Sequence, residues 1–251
     1  GIPYLVKKFQ VAYIPSASIL VQQWKDRREQ KNPPRLPLVA FGDPVYGSET
    51  SARPENSTAQ VGLLANITTR GLNLSRLKFS GEEVKRIASI WGVPLNSDDI
   101  NLRNRASVER VRELDLSKYR ILHFATHAVA GDEIGYVTQP ALILSQAGVQ
   151  GKDPGLLQFN DILQLKLDAD LVVLSACDTG LGKLREGEGI VGLTRAFLYA
   201  GAASTVASLW SVEDQSTSLL MEGFYRRLKQ GQSKSEALRQ AKLQLLKSSV
   251  Q

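Results

Sequence analysis

Leu171-Val172-Val173-Leu174-Ser175-Ala176 is a run without charge, and Cys177 follows it directly. A short apolar run of this kind, lacking polar alternation, suits a strand buried on both faces of a parallel sheet. Three further runs share its character: ILHFAT at 121–126, PALIL at 140–144 and STVASL at 204–209. Helical periodicity fills most of the intervals, over 157–166, 188–200, 213–229 and 233–248. Strand and helix alternating in this way give an α/β fold of three layers, with a mostly parallel central sheet flanked by helices.

Toward the N-terminus the pattern continues less sharply. Residues 9–14 (FQVAYI) and 38–41 (LVAF) read as short strands, with a helix over 16–30 that Asn32-Pro33-Pro34 ends. Residues 43–75 turn to Ser, Thr, Asn, Gly and Pro and read as a long loop. Ser80-Gly81-Glu82-Glu83 has the form of a capping box. It precedes an apolar stripe of Val84, Ile87, Ala88 and Trp91 that ends at Gly92. Residues 107–114 predict another helix. No repeat of 20–50 residues is visible, so 1–251 is expected to form a single domain and not a solenoid.

Composition removes several classes of function. The chain has 251 residues, 43% of them hydrophobic, with one cysteine and two histidines. One cysteine allows no internal disulfide and no thiolate-rich metal cluster. No run of about 20 uncharged apolar residues occurs, so no membrane partner is expected. The start, GIPYLVKKF, has no apolar signal core and reads as cut from a longer chain, and a cytoplasmic location is expected. Without a leader, the Asn-x-Ser/Thr sequences at Asn56, Asn66 and Asn73 read as ordinary polar loop. The net charge of +6 is uneven: residues 1–120 hold 19 basic and 12 acidic side chains. No aromatic-plus-basic stripe accompanies that excess, so a solvated surface is expected in place of direct nucleic-acid binding.

Two strands end in residues with chemistry. The run 121–126 delivers His127 and the run 171–176 delivers Cys177. In open parallel sheets the ligand site lies beyond the carboxyl ends of the strands. Neighbouring parallel strands would therefore bring imidazole and thiol to one edge, the pair that thiol acyl transfer requires. A lone cysteine after an apolar strand is otherwise most often a small buried hydrophobe. His123 lies inside the strand and reads as a core or near-site residue, not an end-of-strand one. Its i, i+4 spacing from His127 gathers side chains on a helix, not on a strand, and no third ligand is evident, so neither a metal nor a cofactor is expected. The Gly-rich stretch 180–192 lacks the order of a phosphate-binding loop and reads as a flexible connection after Cys177.

The segments LHFATHA (122–128), ADLVVLSACDTGLG (169–182), GEGIVGLTRAFLYAGAASTVASLW (187–210) and SVED (211–214) together resemble the CHAT domain. This caspase-like family is named for its association with tetratricopeptide (TPR) repeats and is related to separases. Caspases carry Gln-Ala-Cys-x-Gly with a histidine about 50 residues upstream. Here Ser-Ala-Cys-Asp-Thr-Gly has His127 50 residues before its cysteine.

The resemblance spans at least 80–249 and implies a caspase-like fold and a cysteine endopeptidase. His127 would be the base and Cys177 the nucleophile, with the oxyanion held by the backbone N–H groups of Cys177 and Ala128. Glycine is common at the second position in these proteases. Alanine keeps the N–H but disfavours positive φ, so a left-handed backbone there would malform the oxyanion hole. In separases an aspartate in a Leu-Trp-x-Val-x-Asp context lies in the pocket for the residue before the cleaved bond (P1). Leu209-Trp210-Ser211-Val212-Glu213-Asp214 matches it, which implies Arg or Lys at P1, with Asp132, Glu133 and Asp178 adding negative charge. The implied partners are a protein or peptide substrate and a TPR segment or TPR protein. The alternative is a latent or non-catalytic interaction module regulated by such a partner.

Overall fold

The computed structural model describes residues 4–14, 16, 21, 25, 35–46, 74, 76–131, 137–146, 155–175, 177–178, 188–208 and 212–248. In chain order its elements are β1 (Val39–Gly42), α1 (Lys78–Trp91), β2 (Ile100–Leu102), α2 (Val108–Glu113), β3 (Ile121–Ala125), β4 (His127–Val129) and β5 (Ala141–Ile143). There follow β6 (Leu156–Gln158), α3 (Phe159–Leu163), β7 (Leu171–Leu174), β8 (Cys177–Asp178), α4 (Glu188–Tyr199), β9 (Thr205–Ala207), α5 (Asp214–Lys229) and α6 (Lys234–Ser248).

The main sheet runs β2-β1-β3-β7-β9, with every pair parallel. Period-two alternation assigns its side chains to two cores. Leu122 and Phe124 of β3, with Val172 and Leu174 of β7, pack with α2, α3 and α4 residues such as Val111, Ile162, Leu193 and Phe197. Ile121, Ala125, Leu171 and Val173 face the other way, onto α1, α5 and α6 through Ile87, Met221, Phe224 and Ala241. Helices therefore cover both faces, which is why β3 and β7 carry continuous apolar runs.

A second sheet, β6-β5-β4-β8, stands beside the first. Its β4–β5 and β5–β6 pairs are antiparallel, whereas β4–β8 is parallel. Run 140–144, expected in the buried parallel sheet, is instead β5 of this smaller one.

Three local expectations change. Residues 9–14 form no strand. Gln10 bonds the start of α6, donating to Glu236 at 2.6 Å and accepting from the Ser235 hydroxyl at 2.9 Å, and among the described residues no neighbouring strand supplies 9–14 with a ladder. The capping box at Ser80 does not form, because α1 starts at Lys78. The Ser80 hydroxyl accepts from the Asp43 N–H at 2.9 Å and donates to the Leu77 carbonyl at 2.8 Å, joining the helix to the end of β1. The stretch expected as helix from 157 opens as β6 and becomes helical only at Phe159. Helix 107–114 does form, with Ser107 accepting from the Arg110 N–H at 3.2 Å as its cap. Most of the helix expected over 16–30 and of the loop 43–75 lies outside the described residues, as do Asn56, Asn66, Asn73 and most of 180–192.

Candidate active site

Both chemistry-bearing strands break at the same edge of the main sheet. β3 ends at Ala125 and, after Thr126, the chain restarts as β4 at His127. β7 ends at Leu174 and β8 begins at Cys177. The two restarted strands pair in parallel, His127 opposite Cys177 and Ala128 opposite Asp178. Neighbouring strands lie about 4.8 Å apart, and positions in register share a face of the sheet. The backbone therefore sets the only cysteine beside the second histidine.

His127 is 6% exposed. Its backbone N–H donates to the Tyr46 hydroxyl at 3.3 Å, and its ring tilts against the Tyr46 ring with centroids 5.1 Å apart. The same hydroxyl lies 3.0 Å from Thr126 Oγ1, which donates to the Ile143 carbonyl. Burial pushes the Tyr46 phenol far above its usual value; its bonds to Thr126 and His127 oppose this, and the charges of Asp43 and Asp214 add to it. Tyr46 is a neutral phenol throughout the physiological range.

Ala128 is fully buried within β4. Among the described residues only Asp43 (φ 48°) and Arg103 (φ 55°) are non-glycine residues with positive φ. Alanine at 128 therefore meets no left-handed strain in this structure.

Asp214 is the first residue of α5 and is partly buried. Its Oδ2 accepts the Phe79 N–H at 2.7 Å, so it caps the first turn of α1. Burial raises its carboxyl above the ordinary range; Glu83 and Asp43 add to the rise, while the Phe79 bond and His127 oppose it. These couplings tie Asp214 to the His127 neighbourhood. Asp132, Glu133, Leu209, Trp210 and Ser211 lie outside the described residues, and Asp178 is placed by its backbone in β8.

His123 is a core residue. It is fully buried, with Nδ1 3.0 Å from the Tyr225 hydroxyl of α5. Nε2 lies 2.9 Å from Glu83 Oε1 of α1, an ion-pair distance that falls short of hydrogen-bond alignment. The second carboxylate of the supposed capping box is thus spent inside the core.

Two residues here have no counterpart in the sequence reading. Asp43 ends β1 with a left-handed backbone although Pro44 follows it, a position normally biased to extended geometry. Its carboxylate accepts Arg76 Nε and Nη2 at 2.8 and 2.7 Å and lies 3.3 Å from Arg103 Nη1. Tyr46 is the other. The Asp43-Pro44 step marks a turn at a strand end, but no sequence pattern connects Tyr46 to Thr126 and His127, 80 residues on. Among the described residues no three His, Cys, Asp or Glu side chains gather as a metal site, and no helix is long and apolar enough to cross a membrane.

Tetratricopeptide repeat protein 28 of Mus musculus is 38% identical over 86 residues, 34% of this chain and 4% of that protein. The Homo sapiens protein of the same name is equally similar over 86 residues, which make up 3% of its length. The chain thus matches only a small fraction of these relatives. The family profile described as the CHAT domain matches residues 2–251, and with the three-layer α/β fold in place the chain belongs to this caspase-like family.

Proposed function

We propose that the chain is a cysteine endopeptidase working through a His127/Cys177 dyad. The observation that carries the reading is the β4–β8 register, which opposes His127 and Cys177 where two buried strands leave the main sheet. The Cys177 thiolate, its proton held by His127, attacks the scissile carbonyl and forms a carbon–sulfur bond. The backbone N–H groups of Cys177 and Ala128 hold the resulting oxyanion. Collapse breaks the carbon–nitrogen bond as the His127 imidazolium protonates the leaving amine. Water activated by the imidazole then hydrolyses the thioester and restores the thiol. Losing one oxyanion donor of this kind costs about 2.7–4 kcal/mol of barrier.

Asp214, with Asp178 and Asp132 adding charge, would select Arg or Lys at P1. Its coupling to His127 supports a position near the reacting bond. Its bond to the Phe79 N–H favours a second reading, a latent state in which that carboxylate serves the fold until a TPR partner or segment engages.

The test compares wild type with Cys177→Ala on peptide reporters ending in Arg or in Asp. Cleavage after Arg that vanishes in the variant is expected. Cleavage surviving the substitution contradicts the mechanism, and preference for Asp contradicts the pocket. A thiol-directed, Arg-containing covalent probe separates latency, because labelling of Cys177 in the chain alone rules it out.

A further inference from the structure

We propose that Tyr46 is a positioning residue for the catalytic segment, its hydroxyl fixing residues 126–128 so that the His127 ring and the Ala128 N–H hold their working directions. The inference rests on the peptidase reading of His127 and Ala128.

The hydrogen bonds around Tyr46 have only one consistent direction. A carbonyl can only accept, so Thr126 Oγ1 spends its single proton on Ile143 O. The Tyr46 hydroxyl, 3.0 Å from Thr126 Oγ1, must then be the donor in that contact. Its oxygen is left to accept the His127 N–H at 3.3 Å. Protons thus run from the His127 backbone to Tyr46, from Tyr46 to Thr126 and from Thr126 to β5.

The chain of bonds joins the residue between β3 and β4 to the strand beside it, across the point where the catalytic strand changes sheets. The phenol ring packs against the His127 ring and against the cluster of Val129, Val137, Ala141 and Ile143 under the small sheet. Tyr46 is itself held in place. The Gln146 N–H donates to the Val45 carbonyl at 3.0 Å, and Asp43 is gripped by Arg76 and Ser80. A tyrosine anchored from two sides and bonded to successive residues of the catalytic segment restrains that segment more tightly than strand pairing alone.

Tyr46→Phe removes the hydroxyl and keeps the ring. The His127 amide should then exchange with deuterium about tenfold faster, the size of one net hydrogen bond, while the Leu122 and Val172 amides keep their protection. On a peptide reporter kcat should fall about tenfold with KM within about twofold, because the ground-state contacts to substrate are untouched.

Should Tyr46→Phe fold poorly, Thr126→Val and Thr126→Ser replace it. The valine variant lacks the middle link and should exchange faster at His127 than the serine variant, which keeps it. Unchanged His127 exchange in Tyr46→Phe, or equal exchange in the two Thr126 variants, overturns the clamp. Unchanged kcat in a protein whose cleavage depends on Cys177 overturns the positioning role. Absence of any Cys177-dependent cleavage in wild type instead overturns the peptidase reading, and the exchange measurement still decides the clamp.

Discussion

Asp214 accepts the Phe79 amide through one oxygen while burial and two neighbouring carboxylates raise its carboxyl above the ordinary range. The two roles separate by substitution. Asp214→Ala removes the acceptor and should cost about 1 kcal/mol, as loss of a helix cap does. Asp214→Asn keeps an acceptor and removes the charge, so it should hold stability near wild type while abolishing preference for Arg at P1. The pH dependence has a definite sign. A folded value above the unfolded one means that the group's stabilising contribution is full below the unfolded value and is lost as pH rises through the folded value. The asparagine variant should therefore be at least as stable as wild type at neutral pH, with any advantage fading in acid. For substrate binding, KM for an Arg reporter should begin to rise, as pH falls, sooner than an ordinary carboxylate would make it. Urea unfolding and a KM profile across pH check both. His123 is the opposite case, a residue of the fold. His123→Ala leaves the buried Glu83 carboxyl and Tyr225 hydroxyl without the imidazole beside them and should cost about 1–3 kcal/mol in denaturant unfolding, the penalty of a buried polar group left unsatisfied, and a cost below about 1 kcal/mol contradicts the buried arrangement. His123 was legible as a core or near-site residue because strand alternation assigns it a face, and its neighbours on α1 and α5 decide for the core. Tyr46 was not, because it sits in a stretch of loop composition and its partners are 80 and more residues away.

Helix α1 shows where local signals end and packing takes over. Its apolar stripe and its end at Gly92, whose φ is 71°, follow from periodicity and from glycine's freedom in the left-handed region. Its start does not, because Ser80 and Glu83 find better partners in Asp43 and His123 than in the helix's own amides. The close seat of α1 on β1 needs Gly42. A Cβ there would come within 2.7 Å of Val84 Cγ2 and 3.1 Å of the Ser80 carbonyl. Gly42→Ala should therefore cost about 1–3 kcal/mol, and unchanged urea unfolding contradicts the packing. Gly189 does similar work where α4 starts, its missing Cβ leaving room for Ala130 at 2.7 Å. The strands β3 and β7 were legible because two covered faces demand unbroken apolar runs. Their breaks at Thr126 and after Leu174 were not, since an apolar run continues unchanged across the point where the chain leaves one sheet for another.

At the scale of the molecule, five parallel strands between two helical layers present their carboxyl ends on one side, and both chemistry-bearing strands turn out there into a second small sheet. The layers follow from the alternation of strand and helix and from the scarcity of polar residues within the runs, whereas the strand order β2-β1-β3-β7-β9 does not. The second sheet follows from neither, because its strands are only two or three residues long and take their register from contacts distant in sequence. In the proposed dyad this sheet couples His127 to Cys177. The rate of Cys177 alkylation by a small haloacetamide, followed across pH in wild type and in His127→Ala, measures that coupling directly. Wild type is predicted to alkylate well below the ordinary thiol midpoint of about 8.5, and the variant to fall back to an ordinary thiol profile. Superimposable profiles in the two proteins would contradict the dyad.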